Sequence, residues 1–200
     1  MTGVSPGRPR KFDQAAALER AMYAFWQGGY QATSYDDLER VTGLRRQSLI
    51  YAFGDKREMF DKVVDHYVKA RIEALVNTLE THDHTALERL RLAFDQWIAD
   101  ADEKDRRGCL VVNSIAEIGA RDPKLAGRLE AAVERLREGF KRCLSAGQDD
   151  GTVRSDVDPG AMAALMVAAG DGSMLHSRVA TDPKDMSEAL ALLLRLVSAR

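Results

Sequence analysis

The residue types best suited to chemistry sit close together near the front of the chain, in the stretch T-S-Y-D-D-L-E-R-V-T-G-L-R-R-Q-S-L-I-Y-A-F-G-D-K over residues 33–56. Arg45, Arg46, Gln47 and Ser48 follow Gly43 in succession. An Arg fork matches guanine O6/N7 and a Gln amide matches adenine N6/N7. Thr33 and Ser34, and then Lys56, fall at two expected helix starts. Unpaired N–H groups and a partial positive charge make such ends suitable for phosphate. Tyr51 joins the open side of the same segment. This chemistry is recognition, with phosphate contacts positioning and base contacts specifying.

Two short helices must hold these groups. Ser34-x-x-Asp37 is a capping-box-like start, with Leu38 and Val41 facing inward. Gly43 makes the turn, and Leu44, Leu49 and Phe53 bury one side of the next helix, leaving residues 45–48 in its first turn. Two helices joined by a Gly-containing turn form a helix-turn-helix DNA reader. A helix ahead of it is capped by Asp13, carries Leu18, Ala21, Met22 and Phe25 on one face, and ends at Gly28-Gly29. Before that lies a basic arm, residues 1–10, running into Lys11. Arg8, Arg10 and Lys11 surround a proline and suit a narrow minor groove, or else a solubilising tail.

Behind the reader the periodicity stays helical. Asp55 and Glu58 cap a long fourth helix, and Thr85 and Glu88 a fifth. The run over residues 108–119 is apolar almost all round and reads as a buried helix. Asp122-Pro123, Asp158-Pro159 and Asp182-Pro183 are repeated N-cap-plus-proline starts, with a polar linker over 147–158. No convincing strand is visible. The expected fold class is all-α, with about nine helices.

Composition narrows the function. In 200 residues, 45% are hydrophobic and 30% charged, with a net charge of -2, as in an ordinary globular protein and unlike a uniformly basic nucleic-acid coat. Residues 1–56 hold eight Lys/Arg against six Asp/Glu, so the front is mildly basic and the remainder acidic. Two cysteines make neither a disulfide framework nor a zinc motif. No leader and no run near the roughly 18 apolar residues of a membrane span is evident, so a cytoplasmic protein without a membrane partner is expected. Phosphate-binding Gly loops, nucleophile elbows and HExxH are missing, which argues against an enzyme. His82 and His84 flank Asp83 without further close ligands, so no metal and no cofactor is expected.

From Lys11 to about Val68 the chain resembles the DNA-binding domain of TetR-family transcriptional regulators. The matching features are Phe25, Gly29-Tyr30 leading to Thr33-Ser34, Leu38, Val41-x-Gly43-Leu44, and S-L-I-Y-A-F-G-D-K with Phe60 behind it. The resemblance implies a head over residues 11–71 and an effector-binding and dimerisation domain over 72–200. It implies a homodimeric repressor on a palindromic operator, paired through its last two helices and released by a small-molecule effector. The family often has Ser or Thr where Arg45 stands, and Tyr, commonly on a phosphate, where Ile50 stands. Tyr51 is one place later, a rotation of about 100° on a helix.

The body offers Tyr67, Trp97, Cys109, Asn113, Glu117, Met166, Met174 and His176 as polar, aromatic or flexible groups on apolar helices, the mixture that lines ligand cavities, although plain core is the competing reading for each. Cys109 stands beside Arg106 and Arg107 at an expected helix start. These features favour a thiolate that senses oxidants or electrophiles; the other reading is an inert buried thiol. An alternative function is an architectural DNA-binding protein without an effector, but shape and backbone binders need more positive charge than this chain carries.

Overall fold

The computed structural model describes residues 12–102, 105–180, 182 and 184–199. Arg8, Arg10, Lys11 and Pro183 lie outside them. The described residues form nine helices, with an isolated bridge between Val153 and Ser198 as the only β pairing among them. The first three are α1 (Gln14–Gly28), α2 (Tyr35–Thr42) and α3 (Arg46–Phe53). Helix α4 is a long composite of Lys56–Tyr67, a π-helical turn at Val68–Ile72, and Glu73–Glu80. Then come α5 (Ala86–Ala101), α6 (Leu110–Ile118, ending in a 3-10 turn at Gly119–Arg121), α7 (Pro123–Asp149), α8 (Pro159–His176) and α9 (Lys184–Val197).

The caps form as the sequence demands. Ser34/Asp37, Asp55/Glu58 and Thr85/Glu88 are complete capping boxes, each satisfying two otherwise orphaned N–H groups. Asp122 and Asp158 accept from the backbone three residues on, each followed by proline in the first turn. Gly43 closes α2 in the left-handed region at φ 72, which glycine adopts without a Cβ clash.

Two boundaries differ from expectation. The linker expected from residue 147 begins later, because α7 continues to Asp149. Gly147 is buried in its last turns, where a Cβ would collide with Val153 and Ala86. The segment after it is no loose spacer: Val153 is 2% exposed and its neighbours Thr152 and Arg154 pair with the chain end. The helix expected to be buried all round, α6, leaves Ile115 44% exposed.

The head's core is aromatic. Phe25 meets Phe60 edge-on with centroids 5.1 Å apart, and Tyr30 packs on Phe60 at 4.9 Å. A second layer, Trp26 against Tyr67 at 5.0 Å, carries the packing from α1 into α4 just before the π turn. The body's core is centred on α7, where Phe140 packs with Phe94 and Trp97 of α5. None of the helices among the described residues is long and apolar enough to cross a membrane.

Candidate nucleic-acid interface and body cavity

Helix α3 presents its apolar side inward, with Leu49 fully buried and Phe53 4% exposed. Its outer side carries Arg45, Arg46, Gln47, Ile50 and Tyr51. Tyr51 is 93% exposed, far more than any buried role would allow. Ile50 is also exposed, at 42%, and an apolar group there is suited to a thymine methyl. Ser48 is half-buried.

Glu39 of α2 organises this edge. One of its oxygens accepts the Arg46 backbone N–H at 2.7 Å, and the other lies 3.6 Å from the Arg45 guanidinium. The Arg46 guanidinium rests 4.3 Å from the centre of the Tyr35 ring, which preorganises a long side chain that would otherwise be free to rotate. Arg45 itself is the N-cap residue of α3, without a side-chain cap bond, and projects outward at 91% side-chain exposure.

The expected phosphate clamps differ from one another. Thr33 is only 4% exposed and its hydroxyl donates to the Gly29 carbonyl at 2.6 Å. A hydroxyl has one proton to donate, so Thr33 holds the α1–α2 turn and is not the exposed phosphate donor expected of it. Ser34 is exposed and caps α2. Hydrogen bonds from the Ser34 hydroxyl, the Ser34 backbone and Arg40 hold the Asp37 carboxyl down at about 2, so this helix start carries fixed negative charge in its first turn. Lys56, in the first turn of α4, is half-buried. Its Nζ donates to the Gln31 carbonyl at 3.3 Å and lies 4.8 Å from the Tyr30 ring centre. Burial lowers its pKa, yet two of its three N–H groups remain for a phosphate.

In the body, Tyr67, Trp97, Cys109 and Met174 line one cavity of about 30 Å³, together with Arg71, Ile72, Leu75, Gln96, Asp100, Leu136 and Asp171. The other four expected pocket residues are elsewhere. Asn113 is buried with its amide donating to the Arg107 carbonyl at 2.8 Å. Met166 is fully buried core, and His176 is exposed at the end of α8. Glu117 is a strut between body and head. Its two carboxylate oxygens accept the backbone N–H groups of Tyr30 at 2.9 Å and Gln31 at 2.7 Å. Isolated polar residues on apolar helices gave the right signal for burial or bonding and the wrong destination.

Cys109 also departs from expectation. It is the N-cap residue of α6, and backbone N–H groups of Val112 and Val111 do favour its thiolate. Burial outweighs them and raises the thiol above its ordinary value. Neither of the two arginines expected to lower it contributes, and the Arg107 guanidinium stacks 4.8 Å from the Tyr23 ring centre and 4.7 Å from that of Trp26. The same desolvation raises the adjoining Tyr67 phenol well above its usual range. No group of three or more His, Cys, Asp or Glu that could hold a metal occurs among the described residues.

Sequence and structure comparisons bear on both regions. Residues 17–63 match the model for "Bacterial regulatory proteins, tetR family", and residues 86–193 that for "Tetracyclin repressor-like, C-terminal domain". The uncharacterised HTH-type transcriptional regulator YezE of Bacillus subtilis is 33% identical over 159 residues, covering 78% of this chain and 81% of that one. The HTH-type transcriptional repressor ComR of Escherichia coli is 27% identical over 195 residues, 96% of this chain and 92% of its own. A cysteine mutant of the TetR-family regulator CifR, solved with 26-base-pair operator DNA, superimposes with a TM-score of 0.83 at 25% identity, covering 94% of this chain and 98% of that one.

Proposed function

Because the chain belongs to the TetR family of DNA-binding transcriptional regulators, we propose that it is a homodimeric repressor whose grip on a palindromic operator is released by a small molecule bound in the body. The observation that carries this reading is helix α6. Its first end, Cys109, stands in the cavity wall, and its other end, Glu117, holds the backbone of Tyr30 and Gln31. That turn in turn holds Lys56 and precedes Ser34. A ligand that displaces α6 therefore moves the phosphate-facing helix starts relative to α3. Arg57, bonded to Asp122 at 2.7 Å and also paired with Asp61, supplies a second tie between α4 and the start of α7. In this reading residues 11–71 are the head, residues 72–200 the effector-binding and dimerisation domain, and the π turn lies at their junction.

The dimer reading rests on an exposed apolar face over α8 and α9. Leu165 and Leu175, and across from them Leu192 and Leu196, are each nearly half exposed, and Val179 beyond α8 is 75% exposed. Two such faces related by a two-fold axis bury each other. On the DNA side, Arg45, Arg46, Gln47 and Tyr51 read or contact the operator, with Ser34 and Lys56 on phosphate. The CifR mutant solved on its operator supports this placement of the head.

Selection of bound fragments from random DNA tests the reading. A two-fold symmetric site, bound by a particle of twice the chain mass in light scattering, is the expected result. Arg46→Ala is expected to weaken that site by about 1–3 kcal/mol. A monomeric mass at micromolar concentration rejects the dimer, and unchanged affinity removes Arg46 from the reading edge.

One observation favours a second reading of the trigger. Cys109 lines the cavity, and the Val111 and Val112 N–H groups and Tyr67 favour its thiolate even though burial outweighs them, so a small uncharged electrophile entering there would meet a thiol with some support for its developing charge. Mass spectrometry of the native protein with N-ethylmaleimide decides it. An adduct on Cys109 accompanied by loss of DNA supports the reading, and modification only after unfolding rejects it.

A further inference from the structure

The cavity contains one charged group that the protein leaves unanswered. Arg71 and Asp100 face it from α4 and α5, but they bond to each other at 2.7 Å, and Arg71 also lies 5.6 Å from the Trp26 ring centre. Tyr67 and Cys109 face one another. Asp171, on α8, differs: among the described residues no hydrogen bond or ion pair reaches its carboxyl. It sits within interaction range of the Cys109 thiol and is itself half-buried. Carboxylates in such surroundings are ordinarily paired. The walls around it are a Trp97 ring packed flat against Phe94 and against the backbone at Gly170, the side chains of Leu136 and Ile72, and the flexible Met174.

We propose that Asp171 is the anchor of the effector site and that the effector is a small organic amine, its ammonium group meeting Asp171 while its apolar part lies between Trp97, Leu136 and Met174. This rests on the ligand-responsive reading above. An anion finds no open partner, since the cavity's one guanidinium is already engaged by Asp100. A neutral alcohol gains a hydrogen bond to the carboxylate, whereas an ammonium gains that bond and also cancels the unpaired charge. At about 30 Å³ the cavity admits about one or two waters, so the amine must be slender or must displace the cavity wall. Met174, an unbranched thioether with several rotatable bonds, is the wall residue best able to yield.

The pH dependence of binding follows from which groups titrate. Burial alone raises Asp171 to about 6. The other titratable groups facing the cavity are Tyr67 and Cys109, both raised and so neutral across pH 5 to 8, and the Arg71–Asp100 pair. Helix α7 contributes only Leu136. Amine affinity should therefore fall as pH drops through about 6, where Asp171 takes up a proton.

Calorimetry on the 200-residue chain tests this with straight-chain primary amines from ethylamine to hexylamine, each compared with the alcohol and the carboxylate of the same length. The expected result is that at least one amine binds about ten-fold tighter than its alcohol at pH 7.5. That preference should shrink at pH 5 and vanish in Asp171→Asn, whose melting temperature reports that it remains folded. Equal affinity for amine and alcohol, an unchanged preference in Asp171→Asn, or no amine binding at millimolar concentration overturns the proposal. Operator occupancy measured in parallel separates the two readings. Asp171-dependent amine binding that leaves DNA bound keeps the anchor and rejects the trigger; release by a neutral or anionic compound keeps the trigger and rejects the anchor.

Discussion

The head and the body solve the problem of presenting polar groups in opposite ways. In the head, polar groups of the α2–α3 edge are held by neighbours a few residues away: Glu39 by Arg45 and Arg46, Ser34 by Asp37. They stay at the surface, so presenting them costs little. In the body, Tyr67, Asp100, Cys109 and Asp171 come from four helices and meet only when the whole core is packed. Burial raises Tyr67, Cys109 and Asp171, and one carboxyl, that of Asp171, is left without a partner among the described residues. A site built locally on the surface tolerates change in its side chains without loss of fold; a site built across a core does not.

The largest expected effect breaks that contrast from the body side. Trp97 packs against Phe94, Phe140 and the backbone at Gly170. Trp97→Ala should cost about 3–5 kcal/mol of unfolding free energy, read from the denaturant midpoint, because both transfer energy and packing are lost. A cost under about 1 kcal/mol would mean that the cavity wall is not part of the core.

The next effect has the opposite sign. Asp171 is raised in the folded state to about 6 by desolvation. A raised carboxyl binds protons more readily folded than unfolded, so its ionisation destabilises the fold as pH rises from about 4 through about 6. Asp171→Asn should therefore make the protein more stable at pH 7.5, by on the order of 2 kcal/mol. The gain should disappear as pH is lowered below about 4, where aspartate becomes protonated in both states. Thermal melts of the two proteins across that range check it; a destabilised variant at pH 7.5 would show that Asp171 is answered by a partner.

The same contrast explains what could be read from the chain. The outward edge of α3 is legible because its determinants are local: a capping box four residues long, a glycine where φ must be positive, and an apolar repeat that leaves residues 45–47 and 51 outward. Nine helices followed from the same kind of signal. The body site was only half legible. Tyr67, Trp97, Cys109 and Met174 reach the cavity, but Asp171 was passed over because periodicity alone does not tell whether an Asp in a small-residue helix faces water or core. Glu117 was misplaced for a related reason. A carboxylate at the end of an apolar helix declares that it needs partners, and sequence does not reveal that the partners are two backbone N–H groups more than 80 residues earlier. Thr33 stands beside Ser34 at a helix start, which suggests phosphate for both, yet the extended backbone at Ser34 goes with Thr33 facing inward and Ser34 outward.

The smallest expected effect on stability belongs to Arg45. Its side chain is 91% exposed and its ion pair with Glu39 spans 3.6 Å, a separation at which solvent screens most of the attraction. Arg45→Ala should change unfolding free energy by less than about 0.5 kcal/mol. Its effect on DNA should be far larger than on the fold, which is the signature of a surface-built site. The salt dependence of operator affinity then distinguishes two roles. If Arg45 pairs with a phosphate, the slope of log affinity against log salt falls by about one and affinity drops on all sequences alike. If it reads a base, the slope changes little and the loss of about 1–3 kcal/mol is confined to operators with the preferred base at one position. A variant that loses stability as well as DNA affinity would place Arg45 in the structural frame of α3, and the division between a locally built head site and a core-built body site would fail at that residue.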